Sequence, residues 1–226
     1  MSEQLPVALT VCRLALDPHR GRLARTQTVG IAVRAALLAE LLRLDLLGGE
    51  RFALARPSDP PPDGMLGAVY QAIAAREPLP WRRWFGHVGA DVAAARNQLL
   101  EREIWRMEAD GRLVDRAAGD VLVTAVRAQQ DLGLDAATLA GRPGTGSGAG
   151  GDPVAAAERG EVDGLRYDST VVAPLAVAAG LLGDRPRPRA ALRGYRPQGE
   201  QPLVAEVVRV ALAKARGQAG LRVLSG

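Results

Sequence analysis

The stretch from residue 29 to residue 43 constrains the fold more than any other part of the chain. Its large apolar residues surround nearly the whole circumference of a helix; they are Val29, Ile31, Val33, Leu37, Leu38, Leu41 and Leu42. A helix that is hydrophobic on all sides is stable only when other elements cover it completely. The pattern therefore predicts a buried central helix around which the rest of the domain packs.

The composition favours more helices around that centre. The 226 residues include only two Phe, three Trp and three Tyr, so the core is built mainly from Ala, Leu and Val. Small aliphatic side chains of this kind favour helix packing, and the length suits one domain. We predict a mainly α-helical protein with small β-hairpins, organised as a single domain over residues 1–226.

Apolar periodicity predicts several further helices. They cover residues 63–75, 91–109, 171–182 and 203–216, with a short helix after Pro80. The helix over 91–109 carries one apolar stripe, formed by Ala93, Leu100, Ile104 and Met107. It ends at Asp110-Gly111, and Gly217 closes the last helix. Residues 7–16 suit either a strand or a short helix.

Two β-hairpins are also predicted, each directly after a helix. The first joins residues 44–47 to residues 51–55 through the turn Gly48-Gly49-Glu50. The second joins residues 113–114 to residues 121–123 through Ala118-Gly119-Asp120. Turn residues of this kind between short apolar runs are typical of hairpins, so the order helix then hairpin occurs twice.

A glycine-rich segment spans residues 141–151. It contains the spacing Gly-x-Gly-x-x-Gly from Gly146 to Gly151, which is found in dinucleotide-binding proteins. However, no Val/Ile-rich strand precedes it, and no Gly-Lys-Ser/Thr sequence follows it. We therefore predict a flexible loop at this segment and not a nucleotide site.

Few residues could support metal binding or catalysis. The two histidines, His19 and His87, and the one cysteine, Cys12, are too few for a conventional structural zinc site. The spacing Gly-x-Ser-x-Gly, which presents a nucleophilic serine, is absent. We predict no catalytic residues, no metal site and no cofactor, and we expect a protein that is not an enzyme.

Cys12 and the apolar runs bear on the cellular compartment. One cysteine in an apolar stretch predicts an inert, buried thiol, as in a reduced cytoplasmic protein. No signal-peptide pattern is found, and the longest apolar runs are too short to cross a bilayer. We expect a cytoplasmic protein that reaches at most the periphery of a membrane.

Arg34 is the most informative charged residue, because it interrupts the central helix. A guanidinium at this position is a snorkelling surface group, a member of an internal ion pair or a ligand for an external anion. Arg20, Arg22 and Arg25 precede the same helix. Together these arginines suggest a corner that attracts anions near the positive end of the helix.

Two other segments contain clustered arginines. Trp81-Arg82-Arg83-Trp84 suits insertion among lipid headgroups or base stacking, while packing in the core is the simpler interpretation of each tryptophan. The basic run over residues 185–196 is either a solvated connector or a contact for a polyanion. The formal net charge is only +4 and does not by itself indicate an anionic partner.

The order of these features resembles the Golgi phosphoprotein 3 family, in its bacterial members. The matching segments are Leu14-Ala15-Leu16-Asp17, Gly21-Arg22-Leu23 and residues 34–41, 44–55, 60–73, 81–113, 167–182 and 203–216. The resemblance implies a mostly helical single domain without enzymatic activity. It also implies binding of phosphatidylinositol 4-phosphate through a basic surface pocket.

The resemblance further implies which residues contact the headgroup. Arg34 falls on a headgroup-binding arginine of the family, and Arg25 falls on its pocket tryptophan. A pair of family arginines on a later helix aligns near Asn97 and Leu100. The arginines beside those two positions are Arg96 and Arg102. We therefore expect the headgroup site to consist of Arg34, Arg25, Arg96 and Arg102.

These observations predict a non-enzymatic adaptor that binds phosphatidylinositol 4-phosphate or another anionic phospholipid at the membrane periphery. A protein partner and self-association stay open. The alternative is a winged-helix-like nucleic-acid-binding protein, because the order helix then hairpin occurs twice. Nucleic acid is the less expected partner, since no helix gathers base-reading Arg, Asn and Gln on one exposed face.

Overall fold

The computed structural model describes residues 6–23, 26–62, 64–86, 88–119, 121, 124–125, 171–179 and 202–223. Within these ranges the protein is mainly α-helical with small antiparallel sheets. The glycine-rich segment 141–151, the basic run 185–196 and Arg25 lie outside the described residues. None of the helices in the described ranges has the length and apolar character needed to cross a bilayer.

Helices account for most of the described chain. They are α1 (Val7–Leu14), α2 (Thr26–Arg43), α3 (Gly64–Ala74), a 3-10 helix (Trp81–Phe85), α4 (Gly89–Glu101), α5 (Val172–Ala178) and α6 (Pro202–Val223). The strands are short. They are β1 (Leu16–Asp17), β2 (Arg22–Leu23), β3 (Leu47–Gly48), β4 (Phe52–Ala55), β5 (Leu79–Pro80), β6 (Trp105–Met107) and β7 (Leu113–Asp115).

Helix α2 is the centre of the fold, which confirms the prediction from its apolar circumference. From Val29 to Leu42 all but one of its residues are buried, the exception being Arg34. Each of the other helices named above, including the 3-10 helix, packs against it. The stretch that the sequence left open between strand and helix is α1, which is buried along its whole length beside α2.

Two helices that precede hairpins end in the same way. After α2, the N–H of Asp45 donates to the Leu42 carbonyl and that of Leu46 to the Leu41 carbonyl. After α4, Glu103 and Ile104 donate to the carbonyls of Leu100 and Leu99. These bonds define a Schellman motif, whose left-handed position is usually glycine. Here an acidic residue occupies it, with φ of 57° at Asp45 and 56° at Glu103.

The hairpins that follow these motifs are also equivalent. Antiparallel pairing joins β3 to β4 and β6 to β7. The arginine that follows the second strand forms an ion pair with the acidic residue of the motif, Arg56 with Asp45 and Arg116 with Glu103. The order of helix then hairpin is therefore present twice, as one structural unit repeated within the described chain, although the second hairpin is not formed by the residues predicted for it.

The boundaries of the second unit differ from the prediction. Helix α4 ends at Glu101, so the helix predicted over residues 91–109 is too long, and Trp105–Met107 is a strand. Its buried residues are Asp91, Val92, Ala95 and Leu99, so the predicted apolar stripe is wrong. The prediction failed because an acidic residue, and not glycine, occupies the left-handed position that ends the helix.

Two further boundaries are corrected by the structure. Leu113–Asp115 pairs with Trp105–Met107, whereas residues 118, 119 and 121, which were assigned to the second hairpin, are helical. Helix α6 continues through Gly217 to Val223, so Gly217 does not close it. A glycine inside a helix costs only about 1 kcal/mol relative to alanine, which the rest of a long helix offsets.

A buried ion pair attaches the second hairpin to α1. The guanidinium of Arg13 donates from Nε and Nη2 to both oxygens of Asp115, at 2.8 and 2.7 Å. Asp115 also accepts from the indole N–H of Trp105 at 2.8 Å and from the backbone N–H of Ala117 at 2.9 Å. Because the two oxygens of Asp115 accept four hydrogen bonds, the pair is well compensated for its burial.

The left-handed glutamate provides a test of this description of the helix end. Replacing Glu103 with glycine removes the backbone strain of a non-glycine residue at positive φ, worth about 1 kcal/mol. The substitution also removes an exposed ion pair with Arg116, which contributes little. We expect Glu103→Gly to raise the free energy of unfolding by up to about 1 kcal/mol, as measured by urea denaturation. A clear loss of stability would contradict the Schellman assignment.

Gly30 sets the distance between α2 and the start of α4. A Cβ built on Gly30 would lie 2.7 Å from Cγ2 of Val88 and 2.8 Å from its carbonyl oxygen. Contacts this short are not found between real side chains, so any larger residue would push the two elements apart. Arg34 lies one turn after Gly30 on the same face of α2, and Asp91 lies one turn after Val88. The close approach therefore brings Arg34 and Asp91 together.

We expect Gly30→Ala to destabilise the protein by about 1–3 kcal/mol, because the added methyl group overpacks this contact. Gly89 provides the matched control. It begins α4 beside the same contact, but a Cβ there would meet no atom within 4 Å among the described residues. Gly89→Ala should therefore leave the thermal unfolding temperature unchanged or raise it. Equal effects of the two substitutions would contradict the packing argument.

Candidate anion-binding surface

Arg34 is held by a carboxylate of the neighbouring helix. Its Nε donates to Oδ2 of Asp91 at 2.6 Å, and its Nη2 donates to Oδ1 at 2.8 Å. The side chains are only 13% and 9% exposed. Two parallel hydrogen bonds from one guanidinium to one carboxylate form the strongest arrangement that arginine offers. Asp91 is also in the first turn of α4, where the helix dipole stabilises a negative charge.

Trp84 forms the next layer around this pair. Its backbone carbonyl accepts from Nη1 of Arg34 at 3.5 Å, a long contact. Its indole ring is buried, and the guanidinium carbon of Arg76 lies 5.9 Å from the ring centroid, within reach of a cation–π interaction. All three tryptophans are buried, as their interpretation as core residues predicted.

Arg34 forms an internal ion pair, which is one of the three interpretations that the sequence left open. A phosphate that bound to the Nε and Nη2 edge of this guanidinium would have to displace Asp91 from both of its hydrogen bonds. The displaced carboxylate would remain buried without a counter-charge, which is costly. The role of Arg34 in headgroup binding stays a prediction, and any such binding has to compete with this carboxylate.

Arg96 and Arg102, the other predicted headgroup residues that the structure describes, do not lie beside Arg34. Arg96 is exposed on α4, five residues after Asp91, so it projects about 140° around the helix from it. Arg102 is exposed where α4 ends, about 16 Å further along the axis than Asp91. Asn97 is exposed and Leu100 is partly buried on the same helix.

A different group of arginines lies around the tip of the first hairpin. Phe52 and Leu54 are exposed on the same face of β4, while Ala53 between them faces the core. Phe52 pairs with Pro80 of β5, and the 3-10 helix follows directly. The indole N–H of Trp81 donates to the carbonyl of Gly49 at 3.2 Å, which ties that helix to the hairpin tip. We call this region the hairpin surface; it consists of Arg51, Phe52, Leu54, Arg76, Arg82 and Arg83.

The hairpin surface combines exposed apolar side chains with exposed cations. All four of its arginines are exposed, and no carboxylate of the described residues lies within 4.0 Å of them. Glu50 and Glu77 are the acidic residues nearest to these arginines along the chain, and both are exposed. Four arginines against two carboxylates leave a local positive charge. Arginines that form no ion pair within the described residues are available to an external anion.

The sequence identified this surface only in part. Arg82 and Arg83 stood out because they lie between two tryptophans. Phe52 and Leu54 did not, because large apolar residues that alternate with alanine usually face the core. In this strand the small Ala53 faces inward and the large residues face solvent. In the sequence, the one indication that the large residues of this strand face solvent is that alanine occupies the position between them.

No family model, curated protein or solved structure matches this chain. The resemblance to the Golgi phosphoprotein 3 family therefore stays a prediction that rests on the segments quoted above. Within the described ranges, no three His, Cys, Asp or Glu side chains converge as metal ligands do.

We expect Arg34→Ala to destabilise the protein by about 3–5 kcal/mol, because Asp91 would keep a buried charge without a partner. Arg209 provides the matched control. It forms the same two-bonded pair with Glu206, but the side chains are 70% and 33% exposed. Arg209→Ala should cost at most about 1 kcal/mol. Chemical denaturation of both variants measures the difference, and equal costs would contradict the structural role of Arg34.

Proposed function

We propose that this protein is a non-enzymatic peripheral membrane protein that binds anionic phospholipid through the hairpin surface. The observation that carries the proposal is the joint exposure of Phe52 and Leu54 with arginines that form no ion pair with a described carboxylate. A binding surface for lipid needs both features. Apolar side chains enter the boundary between headgroups and acyl chains, and cations attract the anionic headgroups.

The magnitudes favour weak, reversible binding. Each arginine near an anionic membrane contributes about 1 kcal/mol, and this contribution decreases with salt. Glu50 and Glu77 oppose part of that attraction. Burial of apolar area adds about 25 cal/mol per Å², to which Phe52 and Leu54 contribute. Neither contribution alone gives stable binding, so the protein should need both.

Arginine also suits a phosphorylated headgroup. Its planar guanidinium donates two parallel hydrogen bonds to one phosphate, which an ammonium group cannot do. Phosphatidylinositol 4-phosphate, which the family resemblance implies, presents such a phosphate above the membrane. We therefore propose a phosphoinositide as the preferred lipid, with general attraction to anionic membranes as the weaker component.

A nucleic-acid-binding role has less support. In a winged-helix protein the recognition helix is exposed so that it enters a groove. Helix α2, which precedes the first hairpin, is covered by other elements from Val29 to Leu42. The arginines of the hairpin surface could still attract DNA phosphates without reading sequence.

Vesicle flotation tests the proposal. We expect Arg82→Ser/Arg83→Ser to weaken binding to vesicles with phosphatidylserine or phosphatidylinositol 4-phosphate about thirtyfold, since two arginines contribute about 2 kcal/mol. The comparison variant, Arg96→Ser/Arg102→Ser, changes the two exposed arginines that the family resemblance assigns to the headgroup. It should bind as wild type does. Vesicles of phosphatidylcholine alone provide the uncharged control.

Three results would oppose this proposal. Loss of binding in Arg96→Ser/Arg102→Ser alone would favour the headgroup site expected from the resemblance. Equal binding to duplex DNA and to anionic vesicles, both abolished by moderate salt, would indicate unspecific attraction by arginine. Wild-type binding by Arg82→Ser/Arg83→Ser would exclude the hairpin surface.

A further inference from the structure

Arg76 differs from the other three arginines of the hairpin surface. All four are exposed, but the guanidinium carbon of Arg76 lies 5.9 Å from the centroid of the Trp84 ring. Arg51, Arg82 and Arg83 make no hydrogen bond, ion pair or ring contact with the described residues. The hairpin surface therefore contains one cation whose position is restricted by a neighbour and three that no described residue restricts.

Trp84 is a fixed support for this arginine. The tryptophan is buried, and so are Trp81 and Phe85, the first and last residues of the same 3-10 helix. The hydrogen bond from the indole of Trp81 to the carbonyl of Gly49 holds this helix against the hairpin tip. A close-packed ring has few alternative orientations. The contact with the ring therefore gives Arg76 a defined place beside the 3-10 helix.

The contact with Trp84 leaves the hydrogen-bonding capacity of Arg76 unused. A cation–π interaction acts on the charge of the guanidinium and consumes none of its N–H donors. Arg76 also forms no hydrogen bond or ion pair with the described residues. Arg34 is the opposite case, because Asp91 accepts from both its Nε and its Nη2. Arg76 is thus positioned and still has its donors available to an incoming anion.

A positioned guanidinium favours one kind of anion over others. Two parallel hydrogen bonds to one group require a fixed orientation, and an unrestrained arginine loses side-chain entropy when it is held in that orientation. The Trp84 ring reduces this loss for Arg76. A phosphate monoester benefits most, because it presents three terminal oxygens and nearly two negative charges. The phosphodiester of an ordinary phospholipid presents fewer oxygens and a single charge.

We propose that Arg76 selects a phosphate monoester at the hairpin surface, and that this group belongs to a phospholipid headgroup. Its guanidinium donates two parallel hydrogen bonds to terminal oxygens of the phosphate. The other three arginines of the surface attract any anionic headgroup. This inference rests on the proposed function, since the exposed Phe52 and Leu54 are what point to a lipid as the source of the phosphate.

Vesicle flotation at matched surface charge tests the inference. One set of vesicles contains phosphatidylinositol 4-phosphate and the other phosphatidylserine, and both are adjusted to the same zeta potential. We expect the wild-type protein to prefer the phosphatidylinositol 4-phosphate vesicles. Arg76→Lys keeps the charge and the attraction to the ring but removes the planar fork. It should reduce this preference about tenfold, which corresponds to the loss of one charge-assisted hydrogen bond.

Two further variants separate the role of Arg76 from that of arginines in general. Arg56→Lys is the matched control, because Arg56 is also exposed on the first hairpin but its guanidinium is paired with Asp45. The lipid preference of this variant should be unchanged. Trp84→Leu removes the ring and should reduce the preference as much as Arg76→Lys does. Thermal unfolding verifies the fold of each variant, and if Trp84→Leu does not fold, the two lysine variants decide.

Four results would overturn the inference. Equal wild-type binding to both kinds of vesicle, undiminished preference in Arg76→Lys, or an equal loss in Arg56→Lys would do so while leaving the proposed function intact. Soluble inositol 1,4-bisphosphate carries the same phosphate without the lipid. If it binds as tightly as the vesicles do, the lipid is not the source of the phosphate. An absence of wild-type binding to either kind of vesicle would overturn the proposed function as well.

Discussion

The fold depends on the complete burial of α2. Because this helix is apolar on all sides, other elements must cover it, and each of the other named helices lies against it. The same burial limits what Arg34 can do. Its guanidinium must be neutralised where it leaves the core, and Asp91 of α4 provides both acceptor oxygens. Arg34, which the sequence suggests as an anion ligand, is therefore paired within the protein. Exposed arginines elsewhere on the surface are better placed to contact external anions.

Short sequence patterns predicted the helices and turns that depend only on a few consecutive residues. The circumference of α2 and the glycine turn of the first hairpin are properties of a few consecutive residues. The end of α4 was missed, because Glu103 occupies a position where glycine is the usual signal. The strand that follows is fixed by Asp115, which Trp105 and the distant Arg13 both contact. Contacts between residues so far apart leave no periodic pattern in the sequence.

The surroundings of Arg34 and the hairpin surface were also predicted only in part. Position in a buried helix identified Arg34 as unusual and left an internal ion pair open. Its partner could not be identified, because Asp91 becomes a neighbour only through the close contact between Gly30 and Val88. The exposure of Phe52 and Leu54 was also not predictable, since strand alternation defines two faces but does not say which one is covered.

The proposed function requires that the hairpin surface, and not another exposed apolar site, contacts lipid. Burial raises the pKa of Cys12 to about 12, so this thiol stays unreactive and a new cysteine can be labelled alone. Leu54→Cys and Met107→Cys replace side chains of similar exposure, 43% and 46%, on the two equivalent hairpins. With an environment-sensitive fluorophore at each position, we predict a blue shift on anionic vesicles at position 54 only. A shift at position 107 alone, or equal shifts at both positions, would contradict the claim.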